Sequence, residues 1–252
     1  MAKSFGGFLQ PLMNRIFKHK FFIPAATILA VLLIDQWLKI YVKLNFHYQE
    51  SRTVTRWFQI FFIENEGMAF GLKWGGVWGK LMLTTFRLLF VTALAYYLIT
   101  LVKKKAHTGF VFCMCLIFAG AMGNIIDSVF YGIIFNDSTI INTAKLFPAG
   151  GGYGHFLEGK VVDMLYFPLW HGTLPHWLPF IGGHEFSFFD PIFNIADASI
   201  SIGVFLIIIF QGRFFKKKTS EDATIYIGEQ NIEKKEINEV SKQDDSINKS
   251  IE

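Results

Sequence analysis

Four long apolar stretches, separated by polar and charged segments, organise the chain. They run about Phe21 to Val42, Leu81 to Val102, Gly109 to Tyr131 and Pro191 to Phe215. Each is long enough for the ~20 residues that an α-helix needs to cross a bilayer. The first is too long for a cleaved signal peptide, and no small-residue cleavage site follows it. Between the first two stretches, RTVTRWFQIFFIENEGMAFGL has Val, Thr, Phe and Ile in partial alternation, which predicts a small sheet. The connection before the last stretch is longer, contains GGGYG and several aromatics, and is expected to lie along the membrane surface as a loop or helix. Its glycines Gly150 to Gly152 and Gly154 suit a segment that moves as a lid. The predicted fold is therefore an all-α membrane protein of four transmembrane helices, with a small extracytoplasmic β-sheet and a surface loop or helix. Three parts are expected: an N-terminal segment over 1–20, a four-span domain over 21–215, and a polar tail over 216–252 too poor in apolar residues to build a core.

Composition agrees with this pattern. Of 252 residues, 52% are hydrophobic and only 17% charged, and the mean hydropathy is +0.37, which departs from the usual soluble domain. A net charge of +4 is too small and too dispersed to argue for nucleic acid. The placement of the charges is more informative. Arg15, Lys18 and Lys20 precede the first span, Lys103 to Lys105 separate the second and third, and Arg213 with Lys216 to Lys218 close the fourth. All fall on one side of a four-span layout, so both termini are expected in the cytoplasm and the connections 43–80 and 132–190 outside. Cys113 and Cys115 sit in an apolar run, and His171, His176 and His184 lack ligand spacing, so no metal site is expected.

A carboxylate in hydrocarbon is costly, so ionisable groups within spans usually face a partner or a cavity and are functional candidates. Asp35 and Lys39 lie near the outer end of span one, Asn124 and Asp127 in the last turns of span three, and Asn194 and Asp197 in the first turns of span four. Asp163 lies outside, in the apolar segment VVDMLYF. Polar groups distant in sequence thus gather at one depth, the outer interface. Asp35 and Lys39 are i,i+4 neighbours that can pair, and each Asn-x-x-Asp places amide and carboxylate on one helix face. Gly120 and Gly123 suit a close approach of span three to a neighbour. Each feature also has a structural reading: an ion pair without chemistry, an interhelical hydrogen-bond network, a helix cap for Asp197, a water-line loop residue for Asp163, and a turn for Asn65 with Gly67. Two other functions fit some of the pattern. A proton- or ion-coupled transporter would spread its polar groups across the membrane depth, and a non-catalytic scaffold would not need them to converge.

Five motifs, DQWLK (35–39), NEGMAFG (65–71), GNIID (123–127), VVDM (161–164) and FNIAD (193–197), occur in the order found in lipoprotein signal peptidases. The chain resembles that family over about residues 22–210, four-span layout included. The resemblance implies a bacterial inner-membrane aspartic endopeptidase that removes signal peptides from prolipoproteins before a diacylglyceryl-modified cysteine, with its site at the outer face. It implies Asp163 and Asp197 as the catalytic pair and Asp35, Lys39, Asn65, Gly67, Asn124, Asp127, Asn194 and Ala196 as substrate-binding or supporting residues. Prolipoproteins and membrane lipid are the expected partners, a monomer the expected state, and peptide hydrolysis without metal, cofactor or covalent intermediate the expected chemistry. The family has an arginine after the aspartate of Gly-Asn-x-x-Asp; here Ser128 stands there, with Lys160 or Arg52 as candidate replacements. The stretches 133–158 and 171–189 are longer than the family's connections.

Overall fold

A computed structural model describes residues 5–66, 76–188 and 191–215. Gly67 and the tail 216–252 lie outside the described residues. Helix α1 runs from Phe5 to Asn45 without a break, followed by strands β1 (Ser51–Thr55) and β2 (Phe58–Asn65), then helices α2 (Gly76–Lys103) and α3 (Thr108–Ile134). Strands β3 (Val161–Tyr166), β4 (Trp170–Thr173), β5 (Glu185–Phe188) and β6 (Ile192–Phe193) lead into α4 (Ile195–Phe214). Four helical segments, Phe21–Asn45, Gly79–Lys103, Thr108–Ile134 and Ile195–Phe214, are long and apolar enough to cross a membrane. The chain divides into a unit Met1–Ile209 and a unit Phe210–Glu252, and the described part of the second is only the end of α4 and Phe215.

Two boundaries differ from expectation. The apolar run from Pro191 is not all helix, because Ile192 and Phe193 pair with β3 and α4 begins only at Ile195. Asn194 therefore precedes the helix instead of lying in its first turn. Within the described residues 135–188 there is also no helix. The second connection holds strands β3 to β5, with β4 and β5 forming a separate two-stranded ribbon. Its aromatic and β-branched residues favour a pleated, half-buried surface over a helix.

The main sheet has the order β1-β2-β3-β6, all antiparallel. Strand β3, flanked on both sides, is buried from Val161 to Leu165. Its period of two sends Val162 and Met164 into a core with Val42, Phe46, Phe62, Tyr131 and Phe135, and turns Asp163 to the other face. The register pairs Ile63 with Asp163 and Asn65 with Val161, so Asn65 sits diagonally across from Asp163 on the same face.

Helices α3 and α4 meet through small residues. A Cβ on Gly123 would lie 2.7 Å from Asp35 Oδ2 and 3.2 Å from Ala196 Cβ, and one on Gly203 would lie 2.8 Å from the Cys113 carbonyl oxygen. The glycines at 120, 123 and 203 thus let the two backbones approach as no larger residue would.

Candidate active site

The polar residues of three helices and one strand form a single connected cluster. At its base Lys39, fully buried, directs its ammonium to Asp35 Oδ2 (2.9 Å), Asp127 Oδ2 (2.8 Å) and Asn124 Oδ1 (2.8 Å). An ammonium has three donors, and all three are used. The expected Asp35–Lys39 pair forms, and Asp127 joins it. Each carboxylate then holds another element in place. Asp35 Oδ1 accepts from the backbone N of Ala196 (2.9 Å), fastening the start of α4 to α1. Asp127 Oδ2 accepts from the backbone N of Val162 (3.3 Å), fastening β3 to α3. A buried ion pair of this kind stabilises only because its remaining lone pairs are satisfied.

Above this base the two aspartates of the VVDM and FNIAD motifs face a common amide. Asn194 donates through Nδ2 to Asp163 Oδ1 (2.7 Å) and to Asn124 Oδ1 (3.1 Å), while its backbone N donates to Asp197 Oδ2 (3.3 Å). Its Oδ1 accepts from the backbone N of Asp197 (2.9 Å). The last two bonds form a reciprocal cap over residues 194–197, so Asp197 is a helix-capping residue as well as a member of the cluster. Its other oxygen, Oδ1, accepts from Asn124 Nδ2 (2.8 Å). Lys39 fixes the orientation of that amide, since it needs the Asn124 oxygen and so turns the NH2 towards Asp197. Asn65 Nδ2 reaches Asp163 Oδ2 at 3.4 Å, which makes Asn65 a contact of the cluster and not merely part of a turn. Burial, reinforced by the negative charge of Asp197, pushes the Asp163 carboxyl up to about 7, against the Lys39 charge and the bonds from Asn194 and Asn65.

Several members were not foreseen. Gln36 donates to Asp127 Oδ1 (2.9 Å), Asp35 Oδ2 (3.1 Å) and the Gly123 carbonyl (3.2 Å), and accepts from Tyr131 (3.1 Å). A neutral amide raises no alarm in an apolar run, although its place inside DQWLK was visible. Below the sheet, buried Lys43 pairs with Glu64, which also accepts from Ser138 Oγ (2.8 Å). Neither candidate replacement for the arginine absent at 128 faces the aspartates. Lys160 pairs with Asp137 (3.2 Å) and Glu64 (3.5 Å), and Arg52 with Glu50 (2.6 Å) and the Asn45 carbonyl (2.8 Å). Ser128 is buried and returns its hydroxyl to the Asn124 carbonyl (2.9 Å). A cation in electrostatic range of both Asp197 and Asp163 comes from a different helix: it is Arg87 of α2. Its position inside an apolar span was the signal that could have found it.

The order of these motifs in sequence and their convergence in space match a known pattern. A family model described as signal peptidase (SPase) II matches residues 27–213. The chain belongs to the signal peptidase II family. It is accordingly a multi-pass membrane protease, and the transporter reading has no support. A lipoprotein signal peptidase of Porphyromonas gingivalis is 50% identical over 188 residues, covering 74% of this chain and 81% of that protein. One of Amoebophilus asiaticus is 35% identical over 185 residues, covering 72% and 74%. A solved bacterial membrane enzyme has the same fold, with a TM-score of 0.51 at 24% identity over 79% of this chain and 92% of that one.

Proposed function

We propose that this signal peptidase II removes signal peptides from diacylglyceryl-modified prolipoproteins by aspartic chemistry, with Asp163 and Asp197 as the catalytic pair. The observation that supports this most is Asn194, which bonds both carboxylates at once and holds them on one small patch between β3 and α4. The negative charge of Asp197 is among the causes that raise the Asp163 carboxyl. Asp163, buried and pushed up to about 7, is the member that holds the proton below that value. It polarises the scissile carbonyl, while ionised Asp197 takes a proton from the attacking water. The tetrahedral intermediate collapses when the leaving amine is protonated by the pair, which restores the starting distribution. Asn65, with Gly67 beside it in sequence, Asn124 and Asn194 orient the carboxylates and the peptide backbone. Asp35, Lys39, Asp127 and Ala196 hold the elements in register.

The clusters of lysine and arginine at the span ends support a cytoplasmic placement of both termini and an active site at the outer face of the inner membrane. That depth suits the substrate, whose acyl chains remain in lipid while water reaches the bond. The test is cleavage of a diacylated prolipoprotein peptide by purified enzyme. Asp163→Asn and Asp197→Asn should each abolish turnover while the protein still inserts, and the double variant should be hardly worse, since the two act as a unit. Turnover within tenfold of wild type in either single variant would overturn the assignment.

A further inference from the structure

The base cluster consumes its own charges. Lys39 commits all three ammonium donors to Asp35, Asp127 and Asn124, so it stands behind the pair and not beside it. On α2, Lys80 donates to the Glu158 carbonyl (2.5 Å). Among the described residues, Asp163 of β3 and Arg87 of α2 are charged groups in electrostatic range of Asp197.

Arg87 sits where helix geometry directs it inward. On α2 the residues Thr84, Val91, Leu94 and Leu98 are buried, at spacings that leave one place in the stripe, position 87. Val91, one turn further in, packs on Ile125 and Val129 of α3. Thr84, one turn further out, directs its hydroxyl to the Leu157 carbonyl (3.5 Å). The neighbours Phe86, Leu88, Leu89 and Phe90 are all exposed, on the side that would meet lipid. Arg87 lies eight residues inside the span that starts at Gly79, a depth of ~12 Å. A guanidinium there is costly unless it meets a counter-charge. Its charge couples to Asp197 first and Asp163 second.

Resting on the dyad reading above, we propose that Arg87 is a positioning residue of the pair: its guanidinium, brought in from α2, holds Asp197 as the ionised, water-activating carboxylate and leaves the proton on Asp163. Without it the two carboxylates are less distinct. The family motifs do not include this position, and the charge it supplies enters from a helix that carries none of those motifs.

The experiment is the pH dependence of kcat and KM for full-length enzyme in lipid nanodiscs with a diacylated prolipoprotein peptide. For Arg87→Gln the acidic limb of kcat should move up by about one pH unit, a ~10-fold loss on that limb. The basic limb should move less, because coupling to Asp163 is the weaker, and KM should stay within about twofold. Arg87→Lys should return the acidic limb towards wild type. Arg87→His keeps its charge only below about pH 6.5, so its rate should fall, relative to wild type, as pH rises through that value; this variant decides the matter should the glutamine variant fail to accumulate. An unmoved limb in Arg87→Gln, a change confined to KM, or an Arg87→His profile superimposing on wild type would overturn the inference. Asp163→Asn and Asp197→Asn, measured alongside, separate the outcomes: if they remain active the dyad reading itself has failed.

Discussion

Replacing Gly123 by alanine tests whether the base cluster sets the geometry of the proposed catalytic pair. The added Cβ would stand 2.7 Å from Asp35 Oδ2 and 3.2 Å from Ala196 Cβ, where ordinary contact begins at 3.4 Å. Relief requires the Asp35 carboxylate to retreat by about 0.7 Å or α4 to move away. Asp35 has nowhere to go without loss, since it accepts from Lys39 at 2.9 Å, Gln36 at 3.1 Å and the Ala196 backbone N at 2.9 Å. A retreat of that size stretches such bonds beyond ~3.5 Å, where they cease to count. Each charge-assisted bond weakened in this way costs about 1.5–3 kcal/mol when complete, so a loss of roughly 2–4 kcal/mol is expected. The start of α4, and with it Asn194 and Asp197, is then displaced by a fraction of an ångström to one ångström, for which a ~10–100-fold fall in kcat is reasonable. The assay is thermal unfolding of purified protein together with cleavage of a diacylated prolipoprotein peptide. Gly150→Ala is the control, because a Cβ there meets nothing within 4 Å. A Gly123→Ala enzyme that melts and cleaves like wild type would refute the reasoning.

Further outcomes follow from the same geometry. Lys39→Met leaves Asp35 and Asp127 buried without their cation and should cost about 3–5 kcal/mol, read as loss of folded protein at temperatures the wild type survives; unchanged melting would contradict it. Asp163 is pushed up to about 7 from its ordinary 3.8, so the stability its protonated form contributes is complete below 3.8 and is lost as pH rises through about 7. The melting temperature of Asp163→Asn relative to wild type should therefore increase between pH 5 and pH 8, and a flat difference would count against the shift. The same shift sets the upper limb of the pH–rate profile near 7, above which Asp163 loses its proton. Asn194→Asp retains a helix-capping oxygen but removes the donor to Asp163 and buries a third carboxylate against it, so activity and melting temperature should both fall; a variant that melts and cleaves like wild type would contradict the assignment.

The sequence made the spans legible because hydropathy over twenty residues is a strong signal, and the convergence of polar groups followed from topology without any contact being known. Asp35, Lys39, Asn124 and Asp127 were readable because charge and amide are expensive in a span. The start of α4 was not, since Pro191 to Phe193 is apolar and hydropathy cannot tell a strand edge from a helix turn; the Asn-x-x-Asp spacing at 194–197 was the better boundary signal. Lys43 belongs to none of the motifs, and only the fold reveals Glu64 from β2 beside it. Arg87 was visible as a charge but belonged to none of the motifs, so weight given to the resemblance hid what the physical rule would have flagged. The ribbon β4–β5 depends on pairing between Trp170–Thr173 and Glu185–Phe188, which no short window contains.

The bond from the Ala196 backbone to Asp35 joins residues 161 positions apart, and it has a consequence for the life of the chain as it is made. Asp35 is among the first residues to enter the bilayer, and its partner is synthesised roughly 8–30 s later at ordinary ribosome speeds. During that interval Lys39 and its carboxylates can assemble, but Asn194 and Asp197 do not yet exist. A nascent or truncated chain thus carries only part of the polar cluster and, on the proposed function, no cutting power. Birth order itself then acts as a safety catch: on the proposed function, cutting begins only once the final helix is in place.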